Sequence, residues 1–191
     1  MYTFFARSNM KKLSKKLFSR NIILRLVQKE DKSSYYNAGF RSIDSQSMYF
    51  TQTSASFSED QIYGYIDRIV DDENRYDFLI TDSSGVIFGE SVLNEIDWQK
   101  RIANYRIVLF NQKYFGRGIG SEALSLSVSF GFEELGLLRI ELEVFGFNER
   151  AIRAYKKVGF VTDEIEENVK LLDGSLGSIY KMSIEKSQFQ Q

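Results

Sequence analysis

The chain of 191 residues contains no cysteine, no histidine and no proline. Without cysteine there is no disulfide framework, no thiol nucleophile and no thiolate metal site. Without histidine, Ser-His-Asp and Cys-His nucleophile systems are excluded. A side-chain general base is then Asp, Glu, Lys or Tyr, and no metal is expected. Without proline, turns rest on Gly, Asn, Asp and Ser. No apolar run approaches the roughly 20 residues of a membrane-spanning helix. The first residues also lack the apolar core and small-residue cleavage site of a secretory signal. The expectation is a cytoplasmic chain with no membrane partner.

Apolar residues make up 43 % and aromatics 15 %, enough for a packed core and against disorder. The net charge of −1 hides an uneven distribution. Residues 1–20 carry +6 with no acid, so residues 21–191 carry −7. An acidic body favours a cationic partner and argues against nucleic acid, whose phosphates need a basic face. The expected organisation is a basic N-terminal extension, 1–20, and one domain, 21–191. Met10, Leu13 and Leu17 recur at helical spacing among lysines, which allows a short amphipathic helix; the expectation is a floppy or lightly docked extension, with packing on the domain, a dimer contact or a membrane-surface contact as alternatives.

Periodicity predicts a strand over 22–26, a helix over 30–40 and a second helix over 59–72, the latter opened by the Ser58/Gln61 capping box. Residues 42–57 read as a polar, irregular loop. Strands follow at 76–81, 86–96 and 104–110, then a helix over 118–135, a strand over 139–147 and a short helix over 149–158. A hairpin turning near Asp173-Gly174 closes the chain. This order predicts an α/β, mixed-sheet fold with helices on both faces.

Phe115-Gly116-Arg117-Gly118-Ile119-Gly120-Ser121 lies between a strand and a helix. Glycines remove side chains where a pyrophosphate must approach the backbone, and the helix start supplies free N–H groups. A Walker loop is excluded because no Lys precedes Ser121. A dinucleotide fold is excluded because the turn follows a long antiparallel region instead of the first strand. Asn148 opens the next helix, Tyr155 lies on it, and Gly159-Phe160 follows it.

These residues resemble the GNAT superfamily of N-acetyltransferases, and within it the ribosomal-protein and spermidine acetyltransferase-like branch. Phe115 to Gly120 corresponds to the Q/R-x-x-G-x-G/A motif, and Asn148 to Phe160 to the Asn…Tyr…Gly-Phe motif. The resemblance implies a central, mostly antiparallel sheet with two splayed parallel strands that admit pantetheine. Acetyl-CoA is then the co-substrate. Main-chain groups of Ile107, Val108 and Leu109 would pair with pantetheine, and those of Phe115, Gly116, Arg117, Gly118, Ile119, Gly120 and Ser121 would take the pyrophosphate. Asn148 would bond near pantetheine or at the helix start, and Tyr155 would protonate the leaving thiolate. Phe115 departs from the usual Gln or Arg, which removes one polar side chain. The implied acceptor is a protein N-terminal amine such as a ribosomal protein's, a polyamine or another small amine, and the branch implies a homodimer.

The strand before the phosphate turn holds no carboxylate. Relatives in this branch often carry Glu where Asn104 stands. Glu90 and Glu95 on the preceding strand are the leading candidates for the base, followed by Asp97, Glu141 and Glu143. The missing strand carboxylate also motivates an alternative, an acyl-CoA-binding regulatory module without turnover. An acidic group, Glu59, Asp60, Asp67, Asp71, Asp72 and Glu73, is a candidate attractor for a polycation.

Overall fold

The computed structural model describes residues 16–53 and 56–189. Met10 and Leu13 lie outside the described residues. Leu17 corrects the helical reading of the extension: it sits in a strand, β1 (Lys16–Phe18), paired antiparallel with β2 (Ile23–Leu26) and opposite Leu24. Its side chain packs on the main core at the sheet edge.

After β2 come α1 (Lys32–Gly39), α2 (Ser45–Thr51), α3 (Glu59–Asp71), β3 (Tyr76–Thr81), β4 (Ile87–Asp97) and β5 (Ile102–Leu109). Then follow α4 (Ile119–Glu133), β6 (Arg139–Phe145), α5 (Glu149–Val158), β7 (Val161–Lys170) and β8 (Leu176–Glu185). The strands form one sheet in the order β1-β2-β3-β4-β5-β6-β8-β7. Every neighbouring pair is antiparallel except β5 with β6. The larger core lies under α4 and α5, and includes Leu124, Val128, Phe132 and Ile152. A second core lies under α1 and α3, around Tyr35, Ile62, Ile66 and Phe110. This is the mixed α/β sheet, helices on both faces, that the sequence predicts.

Local chemistry sets the helices that frame the site. In α3 the Ser58 hydroxyl accepts from the Gln61 amide at 3.2 Å, and the Gln61 side chain accepts from the Ser58 N–H at 2.8 Å. Ile62, Ile66 and Ile69 then fall on one buried face, each worth roughly 1.5–3 kcal/mol on burial. The predicted loop over 42–57 instead contains α2. Asp44 caps it, its carboxylate accepting from the Gln46 and Ser47 amides at 3.1 and 3.0 Å. Two orphan N–H groups are thereby satisfied, which offsets the weak intrinsic preference of a Ser-, Thr- and aromatic-rich segment.

The feature that makes room for a ligand is the short pairing of β5 with β6. Only Ile102, Ala103 and Asn104 pair, with Arg139, Ile140 and Glu141. Both strands continue past that point, so a gap opens between them.

Candidate active site

The alternation of main-chain groups along β5 decides which of them face the gap. The Phe110 N–H donates to the Phe88 carbonyl at 2.9 Å, so the even-numbered groups point to β4. The odd-numbered groups point into the gap, and the Ser47 hydroxyl reaches the Leu109 carbonyl there at 2.7 Å. Ile107 therefore presents both its N–H and its C=O, and Leu109 its N–H. Val108 is a correction to the sequence expectation. It lines the gap, but its main-chain groups are turned towards β4.

Beyond β5 the chain makes a 3₁₀ turn, Gln112–Tyr114, and reaches the glycine turn. The Phe115 N–H is spent on the Gln112 carbonyl at 2.9 Å, so Phe115 cannot offer the donor expected of it. The N–H groups from Gly116 to Ser121 make no hydrogen bond among the described residues. Gly116 and Gly118 have φ of 71° and 81°, a left-handed backbone that bends these donors around one point before α4 begins. Arg117 is exposed and stands outside the cavity lining.

Positive charge comes instead from a residue the sequence reading missed. Arg150, in the first turn of α5, stacks over the Phe115 ring at 4.0 Å and over Phe50 at 5.1 Å. Phe115 thus replaces the usual polar side chain with a platform for a guanidinium. Partial burial lowers the Arg150 pKa. Arg153 and Lys157 line the same cavity, whose volume is about 440 Å³.

Asn148 is the N-cap of α5, its side-chain oxygen accepting from the Ala151 amide at 3.3 Å. That bond fixes the start of α5, and Tyr155 lies about two turns further along the helix, packed against Phe160. Tyr155 is 7 % exposed. Burial pushes its phenol pKa up, so the group stays protonated and is an acid, not a base. Its hydroxyl makes no hydrogen bond among the described residues. Asn148, Tyr155 and Ile107 line the cavity beside the glycine turn and also a second cavity of about 400 Å³ on the other side of the gap. The phenol therefore stands where the two spaces meet.

Among the candidate bases, only Glu90 and Glu143 line that second space. Glu90 is 2 % exposed. Its Oε1 takes the Arg106 guanidinium at 2.9 Å and its Oε2 takes the Tyr35 hydroxyl at 2.5 Å. The Arg106 guanidinium also reaches the Tyr65 hydroxyl at 2.7 Å, and partial burial pushes the Tyr65 phenol up to about 12. Glu95 is corrected. It falls in the register shift between Asn94 and Asp97, with φ of 52°, and is exposed away from both cavities. Asp97 anchors the following turn by accepting from the Gln99 and Lys100 amides. Glu141 pairs with Arg139 at 2.7 Å. Asn104 bonds its neighbour Asn94.

The acidic group around α3 is largely committed elsewhere. Asp67 pairs with Lys32 at 2.7 Å, Asp71 with Lys29 at 2.8 Å, and Glu59 accepts from Tyr63 at 2.5 Å. Among the described residues, no group of three or more acidic side chains could hold a metal ion. No helix there is long and apolar enough to cross a membrane.

Comparison with known proteins places this geometry in a family. The model of the acetyltransferase (GNAT) domain matches residues 21–161. Spermidine N(1)-acetyltransferase of Escherichia coli (strain K12) is 28 % identical over 123 residues, covering 64 % of this chain and 65 % of that protein. The enzyme of the same name from Vibrio cholerae is 24 % identical over 144 residues, covering 75 % of this chain and 81 % of the relative. A crystal structure of the Vibrio cholerae spermidine N-acetyltransferase, in complex with CoA and spermine, superposes with a TM-score of 0.79 at 20 % identity. It covers 89 % of this chain and 98 % of that one. The match thus spans just under two thirds of the Escherichia coli relative. The chain belongs to the GNAT acetyltransferase domain family.

Proposed function

We propose that the chain is an acetyl-CoA-dependent N-acetyltransferase that passes the acetyl group directly to a primary amine. The observation that carries this is the position of the Tyr155 phenol, buried, protonated and standing where the two cavities meet at the open end of β5 and β6. The glycine turn with Arg150, Arg153 and Lys157 suits the anionic end of acetyl-CoA. The gap-facing groups of Ile107 and Leu109 suit the amides of its pantetheine arm.

Acetyl-CoA supplies an activated acetyl thioester; the amine nitrogen bonds to its carbonyl carbon and the carbon–sulfur bond breaks. Tyr155 gives its proton to the departing sulfur and is reprotonated from water. The proton lost by the amine passes to water. Glu90, with both oxygens engaged, holds Arg106 and Tyr35 in place at the acceptor wall. The reading needs no metal.

The absence of a carboxylate from β5 supports a second reading, an acyl-CoA-binding regulatory module without turnover. Calorimetric titration with acetyl-CoA followed by thiol release over a panel of amines separates the two. The panel includes polyamines, because relatives are spermidine acetyltransferases, as well as peptide N-termini and small monoamines. No binding at millimolar acetyl-CoA refutes both readings, and binding without thiol release leaves the module.

The proposal includes a cytoplasmic homodimer. Ile165, Leu172 and Leu176, 43 %, 56 % and 65 % exposed on and beside the β7–β8 hairpin, offer a self-complementary apolar edge. Light scattering at micromolar protein measures the mass.

A further inference from the structure

We propose that the acceptor is a monoamine carried on an apolar body of aromatic size, and that polycations are selected against. The inference rests on the N-acetyltransferase reading above and assigns its acceptor.

The acceptor-side cavity is walled by Phe40, Phe57, Phe110 and Phe145, with Ile43 and Met48. The rings are already packed. Phe40 meets Phe57 at 5.8 Å and Phe110 at 5.7 Å, both edge to face, and Tyr35 lies 5.1 Å from Phe40. An aromatic or branched apolar body fills such a space without rearranging it, and one ammonium is accommodated against ring faces.

Charge in the cavity is nearly cancelled. Its charged lining side chains are Glu90, Arg106 and Glu143. Glu90 is neutralised by Arg106 and bonded by Tyr35. Glu143 is exposed on β6, and Lys181, opposite it on β8, pairs instead with Glu164 and Glu166. At most one carboxylate is left to meet one ammonium.

The space further along offers a second ammonium no surplus of carboxylate. Phe40, Phe57, Glu90 and Arg106 also line an outer cavity of about 730 Å³, which adds Arg68 and Arg75. Arg75 is held by Asp77. Arg68 lies against the Tyr65 ring and has no carboxylate partner among the described residues. Of the acidic side chains from 59 to 73, only Asp60 lines this outer space. A polyamine entering here sets its second ammonium between the Arg68 guanidinium and the single carboxylate of Asp60, a space with no surplus of negative charge to hold it, which favours a monoamine.

The test compares kcat/KM for 2-phenylethylamine and tryptamine with that for spermidine and putrescine, by thiol release at saturating acetyl-CoA. We expect the aryl monoamines to lead by at least about tenfold, which is about 1.4 kcal/mol. A spermidine preference overturns this inference and leaves the N-acetyltransferase reading standing. No thiol release with any amine, while calorimetry shows acetyl-CoA bound, overturns that reading and the inference with it. Two variants probe the cause. Phe57→Glu adds a carboxylate to the wall, and Arg68→Glu reverses charge at an exposed helix position. Each is expected to move the ratio several-fold towards spermidine. An unchanged ratio in a folded R68E protein overturns the assignment of selectivity to this lining.

Discussion

The side-chain amide of Asn21 donates to Glu122 at 2.6 Å, and the Asn21 main-chain N–H reaches the other carboxylate oxygen at 3.2 Å, across 101 residues. Glu122 stands in the first turn of α4, immediately after the phosphate turn. Desolvation acts to raise its carboxyl pKa, but hydrogen bonds from Asn21 and Ser19 overcome this and hold it below the ordinary value of 4.5. The clamp is therefore fully present above that value and is lost as the pH falls through the lower folded value.

A boundary prediction follows from this clamp and from β1. A chain beginning at Lys16 retains both and is expected to bind acetyl-CoA as the full chain does. A chain beginning at Ile23 loses both, and its acetyl-CoA dissociation constant is expected to rise at least about tenfold. Calorimetry on the two truncated proteins decides it. Equal affinities show that the start of the domain does not brace the phosphate turn.

Gly118→Val tests the turn itself. A Cβ at this position meets only the Glu122 carboxylate, at 3.8 Å, so the protein interior has room for it. The cost arises because φ of 81° is left-handed, which disfavours an L side chain, and a branched one most, by about 1–2 kcal/mol. The side chain also projects where the pyrophosphate is expected. We expect the acetyl-CoA dissociation constant to rise at least about tenfold. A folded G118V protein with unchanged affinity would refute the assignment of the phosphate site.

What was legible in the sequence follows from what is local. The capping pair Ser58 and Gln61, and Asn148 with Gly159 at the two ends of α5, carry their own boundaries, and both helices lie where they were expected. Helix α2 was missed because its apolar positions are few and its cap, Asp44, sits in a polar stretch without periodicity. Leu17 misled because helical spacing from Met10 and Leu13 is a local pattern, whereas its place opposite Leu24 is set by strand pairing. Glu95 misled because a bulge between Asn94 and Asp97 breaks the strand alternation, and no local signal announces it. The engagement of Glu90 by Arg106 and Tyr35 depends on strand register and on helix packing over 16 and 55 residues of separation. The platform that Phe115 forms for Arg150 depends on how the glycine turn meets the start of α5.

Glu90→Gln separates a base from a positioning residue. The amide still accepts from Tyr35, while Arg106 loses its counter-charge. We expect the acceptor KM to rise several-fold and stability to fall by no more than about 2 kcal/mol, since Arg106 is 42 % exposed and solvent screens part of the pair. The kcat at saturating amine should stay within a few-fold of the unmodified protein's. A kcat loss of about 10²-fold or more with the acceptor KM unchanged would make Glu90 the base.

Tyr155→Phe keeps the ring and its packing at 5.8 Å from Phe160 but removes the only proton the residue can give. Acetyl-CoA affinity is expected to stay the same, and kcat to fall by about 10²-fold or more where thiolate protonation limits the rate. The pH profile of the unmodified protein supplies an independent check. Burial raises the phenol above its ordinary value of 10.0, so the acid form persists throughout neutral and mildly alkaline solution. Tyr155 should therefore impose no alkaline fall in kcat below about pH 10. A decline centred near pH 9 that disappears in Y155F would mean the phenol titrates in that range, against its burial. An unchanged kcat in Y155F, with chemistry shown to limit turnover, would remove Tyr155 from the mechanism.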